Sequence, residues 1–484
     1  MRKIFCLVVL ASAIILLFLY QRATAKTPFY FPYNYGDYTY DSLKHLAEST
    51  NSGNIPDILF KDRIKKPTGL NKTCARFPTL FDLTFKNDYW QTQKTSNGTF
   101  HLFNAYWDDR NGSTIRIVGI YDQYLPKTKF YCQFWYYHID KPLLVQSQKL
   151  FWLWRPGWGA DRKGWNHPYL ITCPVPYATK EVPMSVSLVE NFCDKATNNL
   201  KIFHKEVEEK KNFVVCVKGL DFPYEDNSLR LAEWIELLNI LGAEKVHFYE
   251  FSVHASTKKL LDYYVEQGKV EVTPLTVVGD FSNQPNLQHI FLHRKRTDRR
   301  LQEVIPYNDC LYKHLGEFKY VVLLDTDEVI VPASGTWVEL IATFQRIFGE
   351  SVSYMARNVY FLDSHQHRHR WFEGIPKYMH MLQHVYRAEN YTKPGHFVKG
   401  FHDTGRVLAL HNHYPLECLG ECSAGEINMT FAHLQHYRRD CAQDVDDCLQ
   451  MKLNSIVDTR VWNFKEELIE RVTAVVKHLR LFDS

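Results

Sequence analysis

Hydrophobic positions change their period near Lys211. Asn212-Phe-Val-Val-Cys-Val217 reads as a buried strand, apolar from Phe213 onward. Leu231, Trp234, Ile235, Leu238 and Leu241 then recur at helical spacing until Gly242 stops them. Lys245 to Glu250 predicts a second strand, Ser256 to Glu266 a helix ended by Gly268, and Val270 to Leu275 a third strand. A helix from about Leu301 to Leu315 leads into a fourth apolar run, Tyr320-Val-Val-Leu-Leu324. This alternation predicts an α/β domain with a mostly parallel, Rossmann-type sheet joined by right-handed crossovers. Past Pro332 the pattern predicts a helix from Trp337 to Phe348, a strand from Val352 to Phe361 and a strand from Arg406 that ends in His411 and His413. An amphipathic helix from Val461 to Leu481 closes the chain.

Upstream the pattern differs. Thr99 to Trp107, Ser113 to Tyr121 and Lys129 to Tyr137 are short aromatic and β-branched runs separated by Asn-Gly and Pro turn signals. They predict a smaller, mostly antiparallel β region over residues 74–180. Its Trp and Tyr residues read as an aromatic core, the alternative being a face that stacks on sugars. Residues 26–73 are rich in Tyr, Asn, Ser and Pro with no period, and read as a stem. Arg2 and Lys3 precede a continuous apolar run from Ile4 to Tyr20. That pattern predicts a single-pass signal-anchor within residues 1–25, with the bulk of the chain lumenal. Ala23-Thr-Ala25 supplies the competing reading, a cleaved signal and a secreted chain.

Composition sharpens this picture at three points. With 45% apolar and 15% aromatic residues the 484-residue chain has ample material for a core. A net charge of +4 is too small at this length to imply nucleic acid. The run His293-Arg-Lys-Arg296 with Arg299 and Arg300 reads as a solvated face, the alternative being contact with a phosphate or an anionic partner. Five sequons, at Asn71, Asn97, Asn111, Asn390 and Asn428, and ten cysteines beyond Cys6 suit an oxidising, glycosylating lumen. Cys418/Cys422 and Cys441/Cys448 read as local bridges. A zinc cluster of Cys418 and Cys422 with His411 or His413 is the alternative.

The chemistry is concentrated where the fourth apolar run ends, in Asp325-Thr-Asp327-Glu328. Strand residues alternate sides, so acids at i and i+2 project toward one place, and the carboxyl end of such a strand opens on the ligand crevice. Two carboxylates there need a cation. A divalent ion bridging them to the phosphates of a nucleotide satisfies that need, and hard oxygen ligands suit Mg2+ or Mn2+.

Taken in order, six stretches resemble glycosyltransferase family 92. They are Val214 to Lys218, Leu231 to Leu241 with Val246-His-Phe-Tyr249, Ile305 to Tyr312, Leu323 to Pro332, His411 to Pro415, and His436-Tyr-Arg438. Val329 stands where an aromatic is common. The resemblance implies a GT-A-like domain over residues 205–484, a UDP-sugar donor (UDP-galactose), Mn2+, inversion at the anomeric carbon, and a glycan acceptor on a glycoprotein or glycolipid. Such an enzyme belongs in the Golgi membrane. On these residues it implies Asp327 at the metal, Asp325 at the ribose or a metal-bound water, and His413 or His411 as a further ligand. Uridine is expected near Val217, Lys218 and Asp221, with Asn308 close by, and the base is sought at Glu373 or Asp363. Two rivals remain. A haloacid-dehalogenase-type phosphatase also begins with Asp-x-Asp, but expects Gly-Thr where Glu328-Val329 stand. An inactive, glycan-binding transferase would keep the aromatic surface without needing both acids.

Overall fold

In the strand Lys211–Phe222 (β1), alternate residues enter two different cores. Phe213, Val215 and Val217 face one, and Val214 and Cys216 the other. Burial on both faces is what a central parallel strand requires, and it explains the unbroken apolar run. The computed structural model describes residues 53–60 and 74–482, apart from 138, 163, 177–180, 280, 367–370, 443–444 and 446. The apolar run Ile4–Tyr20 and nearly all of the stem lie outside the described residues. Within them no helix is long and apolar enough to cross a membrane.

Beside β1 lie Ala243–Val253 (β2) and Val270–Pro274 (β3) on one flank and Phe318–Leu323 (β4) on the other, all parallel. The helices Ser228–Leu241 (α1), Ala255–Glu266 (α2), Pro285–Arg294 (α3) and Arg296–Lys313 (α4) fall between these strands. Gly242 ends α1 in a left-handed conformation at φ 108°, which glycine adopts without a Cβ penalty. The sequence pattern had not marked α3, where Gln288, Phe291 and Leu292 are the buried positions.

After β4 the sheet becomes mixed. Glu328–Pro332 (β5) leaves it for a three-stranded sheet, and the helix Trp337–Phe348 (α5) follows. The single strand expected from Val352 to Phe361 is two strands in different sheets. Ser353–Ala356 (β6) belongs to the central sheet, and Asn358–Leu362 (β7) pairs beside β5's partner. Lys399–Asp403 (β8) runs antiparallel to β4 and β6. The run from Arg406 forms a hairpin of Val407–Leu410 (β9) with Pro415–Cys418 (β10), and His411 and His413 lie in its turn. Ala424–Ile427 (β11) extends the central sheet, and Ala432–Arg438 (β12) lies between β5 and β7. The closing helix Lys465–Leu479 (α6) packs its apolar stripe on α1.

The β-rich region forms one ten-stranded sheet, antiparallel except where Leu200–Phe203 pairs with Thr99–Asp108. It extends past residue 180, because Ser185–Val189 and Leu200–Phe203 are both part of it. It shares a core with the α/β part through α4. Asp309 on α4 is fully buried and accepts hydrogen bonds from Tyr106 Oη and Asn104 Nδ2 of the β-rich sheet and from Tyr249 Oη of β2. Lys313 Nζ lies 3.2 Å from the same carboxylate. All ten described cysteines pair, as Cys74–Cys193, Cys132–Cys173, Cys216–Cys310, Cys418–Cys422 and Cys441–Cys448. The Cys418/Cys422 pair is therefore a bridge, and the zinc alternative falls away. Of the sequons, Asn97, Asn111, Asn390 and Asn428 are exposed, and Asn71 lies outside the described residues.

Candidate functional site

β4 ends at Leu323, and Asp325-Thr326-Asp327 forms a tight turn into β5 rather than a continuation of the strand. The Glu328 amide donates to the Asp325 carbonyl at 3.0 Å, and the Glu328 carboxylate accepts from the Asp325 amide at 3.0 Å. The two acids consequently have different surroundings. Strand alternation is not what brings them together.

Register places the counter-charges of Asp325. Cys216 of β1 faces Leu323 of β4, so Lys218 comes beside Asp325, with Nζ 3.2 Å from the carboxylate. Val322 of β4 faces Phe401 of β8, so Lys399 enters from the opposite flank. Its fully buried ammonium lies 3.5 Å from Asp325 Oδ2 and 3.2 Å from Glu328 Oε2, and donates to Asn412 Oδ1 at 2.6 Å. Burial pushes the Asp325 carboxyl up, but Lys218 and then Lys399 outweigh it and hold the group well below the usual carboxylate range. In turn Asp325 raises Lys218 above the ordinary lysine range against the effect of burial.

Asp327 is 44% exposed. β12 pairs His436 with Glu328, which brings His436 Nε2 to 3.4 Å from Asp327 Oδ2 and Nδ1 to 3.4 Å from Glu328 Oε1. Partial burial raises the Asp327 carboxyl, and the His436 ring more than offsets this, leaving it below the usual range.

Two cavities meet at this turn. One, of about 420 Å³, is lined by Val217, Lys218, Asp325, Asp327, His436 and Arg438 among others. The other, a cleft of about 910 Å³, shares Lys218, Asp325, His436 and Arg438 with it and continues to Glu303, Trp154, Trp158 and Tyr414. His293, Arg296, Arg299 and Arg300 line this cleft too, so the basic run is part of its wall and not a plain solvated face. Trp154 and Trp158 come from the β-rich region, whose aromatics are therefore not all core. Their rings lie 5.3 and 4.6 Å from that of His411.

Of the other expected site residues, His411 and His413 line the larger cleft with Asp325, and the rest lie outside the two cavities. Asn308 is fully buried; its amide bonds the Val304 and Leu410 carbonyls at 2.7 and 2.9 Å and accepts from the Leu410 amide at 2.9 Å. It fixes the hairpin that carries His411 and has no capacity left for a nucleotide. Glu373 is exposed and Asp363 faces His380 and His384, and neither lines the two cavities. Asp221 bonds His289 Nδ1 at 2.9 Å and lines a neighbouring pocket of about 220 Å³ that also contains Lys218. His411 packs among aromatics, and burial followed by the His413 charge lowers it to about 3. His413 bonds the Val398 carbonyl through Nδ1 at 2.9 Å, and burial followed by Lys399 lowers it to about 4. The histidine beside the exposed acid is instead His436. The pattern His436-Tyr-Arg438 marked it in the sequence, but only strand register assigns it to Asp327.

A divalent cation fits part of this set. Asp327 presents an open carboxylate and His436 Nε2 lies close to it, whereas Asp325 Oδ1 already has the Lys218 ammonium at 3.2 Å. Oxygen donors with one imidazole suit Mn2+ or Mg2+. Asp325 already faces two lysines, so Asp327 and His436 are the better ligands and Asp325 the weaker one.

The profile described as glycosyltransferase family 92 matches residues 211–472. A solved structure described as the apo form of the WbbM bifunctional glycosyltransferase is similar over 35% of this chain and 27% of that one, at 12% identity and a TM-score of 0.19. The matched part spans about a quarter of that protein, and a likeness this slight carries no argument. No curated protein gives a match.

Proposed function

Because the chain belongs to glycosyltransferase family 92, we propose that it moves galactose from UDP-galactose, with inversion, onto a glycan of a glycoprotein or glycolipid. In this reading the domain is of GT-A type. The chain is anchored through Ile4–Tyr20 in the Golgi membrane with the remainder lumenal, a placement that five disulfides and four exposed sequons support.

One observation carries the reading. A half-exposed carboxylate, Asp327, opens into a cavity at the carboxyl ends of β1 and β4, where positive side chains also converge. Val217 and Leu220 give that cavity an apolar wall for the uracil, and Lys218, Arg438 and Arg439 bring charge for the diphosphate. Asp327 and His436 would hold Mn2+ or Mg2+, whose chemistry when bound is to offset charge gathering on the leaving diphosphate. The acceptor sugar takes the larger cleft, stacked on Trp158 and Tyr414. Inversion needs a base opposite the leaving group. Glu303 and Asp440 are the carboxylates of that cleft outside the turn, and they replace Glu373 and Asp363 as candidates.

UDP release by the purified chain, with UDP-galactose and UDP-glucose, with and without Mn2+, and against an array of glycans, tests the proposal. Release that needs galactose donor, metal and a particular glycan is expected. Glycan binding with no turnover under any of these conditions would sink it.

A further inference from the structure

A second cluster of ligand-type side chains lies away from the cleft. Asp363 directly follows β7, and the short helix His380–Gln383 carries His380 with His384 one turn later. His380 Nε2 and His384 Nε2 lie 4.0 and 3.8 Å from the same oxygen, Asp363 Oδ1. All three ligand atoms fall within 4.8 Å of one another. These separations exceed hydrogen-bond length, yet His380 Nε2 is buried and has no hydrogen-bond partner. A buried imidazole nitrogen without a hydrogen-bond partner is able to bind a Lewis acid.

The surroundings are those of a prepared ligand set. His384 Nδ1 lies 2.7 Å from the His380 carbonyl, so Nδ1–H donates there and the lone pair is fixed on Nε2. Metal-binding imidazoles are commonly oriented in this way. The helix is itself held by buried Glu233, whose carboxylate accepts the Met381 and Leu382 amides at 2.9 and 3.1 Å.

We propose that Asp363, His380 and His384 form a site for a zinc-class divalent ion, distinct from the Asp327 turn. Two imidazoles and one carboxylate match zinc, with a fourth position for water. Ligands of a tetrahedral zinc stand roughly 3.3 Å apart for bonds of about 2.0–2.1 Å, so the 4.0 and 3.8 Å histidine–carboxylate separations shorten by about 0.7 and about 0.5 Å. The ion ties the end of β7 to the helix at 380. β7 pairs with β12, and Asn358 Oδ1 lies 3.1 Å from His436 Nδ1, so the tie steadies the sheet behind the acidic turn.

The test uses the full-length chain without a polyhistidine tag, carrying Asp327→Asn so that the other candidate site is disabled. Equilibrium dialysis against Zn2+ should give one equivalent more in this parent than in Asp327→Asn/His380→Gln. Zn2+ should raise the unfolding temperature of the parent and not of the double variant. Co2+ in its place should give the visible absorption of a tetrahedral ion. Asp363→Asn, a conservative change at a partly exposed side chain, should weaken zinc binding at least tenfold with unaltered circular dichroism, which separates ligand loss from misfolding. Equal zinc uptake and equal thermal response in parent and both variants would overturn the assignment.

Discussion

Lys399 is fully buried and sets its ammonium 3.5 Å from Asp325. The cation demanded by an acidic pair in a sheet crevice is thus partly built into the neighbouring strand. Lys218 supplies a second positive charge at 3.2 Å, so Asp325 is the compensated, structural member of the pair. Asp327, flanked by His436 and open to the cavity, is the member available to a ligand. One turn, with Glu328 bonded back to the Asp325 amide, imposes this division of labour.

The two acids should accordingly fail in different ways. Asp327→Asn is expected to abolish transfer while changing stability by less than about 1 kcal/mol, because the side chain is half exposed. Asp325→Asn leaves Lys399 and Lys218 short of a counter-charge and should lower stability by about 3 kcal/mol. Urea unfolding together with UDP release reads both effects. Equal destabilisation by the two variants would contradict the division.

The sequence made one half of this arrangement legible. The runs ending at Val217 and Leu324 are long enough to be read as central strands, and Asp325 and Asp327 stand where a strand must end. Lys399 and His436 were not legible as partners, because each reaches the turn through antiparallel register with a distant strand, and a lone lysine or histidine carries no trace of register. Asn308 misled for another reason. The family resemblance set it near the uridine, whereas here both ends of its amide are used by backbone groups, which no sequence pattern shows. Val352 to Phe361 reads as one strand because nothing in an apolar run shows that Ala356 and Asn358 belong to different sheets.

Tyr106 and Asp309 tie the two sheets together, so they should unfold as one. A chain beginning at residue 205 would expose the face of α4 that the β-rich sheet covers, and is expected to aggregate on expression. Tyr106→Phe removes one donor from the buried Asp309 and should lower stability by about 1–3 kcal/mol, with a single urea transition whether followed by tryptophan fluorescence or by circular dichroism. Two separated transitions would mean that the sheets are independent.

Trp158 is the proposed contact between the β-rich region and the acceptor. Its ring lies 4.6 Å from that of His411, and the Arg155 guanidinium stands 5.6 Å over it. Trp158→Ala should raise the acceptor KM about tenfold, the size of one lost stacking contact. Hydrolysis of the sugar donor without acceptor should stay unchanged. A matching loss in both reactions would place Trp158 at the donor instead.

Acid sensitivity should trace to histidines buried in the neutral form, and His402 on β8 is the clearest instance. It is fully buried with Nδ1 2.8 Å from Ser353 Oγ, and burial, followed by the Lys399 charge, lowers it from 6.5 to about 3. Between those values the unfolded chain binds a proton that the folded chain refuses. Stability therefore falls as pH falls through this window, by up to about 1.4 kcal/mol per pH unit for each such proton. His402→Asn keeps a hydrogen-bonding amide near Ser353 and cannot titrate, so its stability should decline less steeply between about pH 6 and about pH 4. Urea unfolding at several pH values measures the two slopes, and parallel slopes would remove His402 as a source of the acid sensitivity.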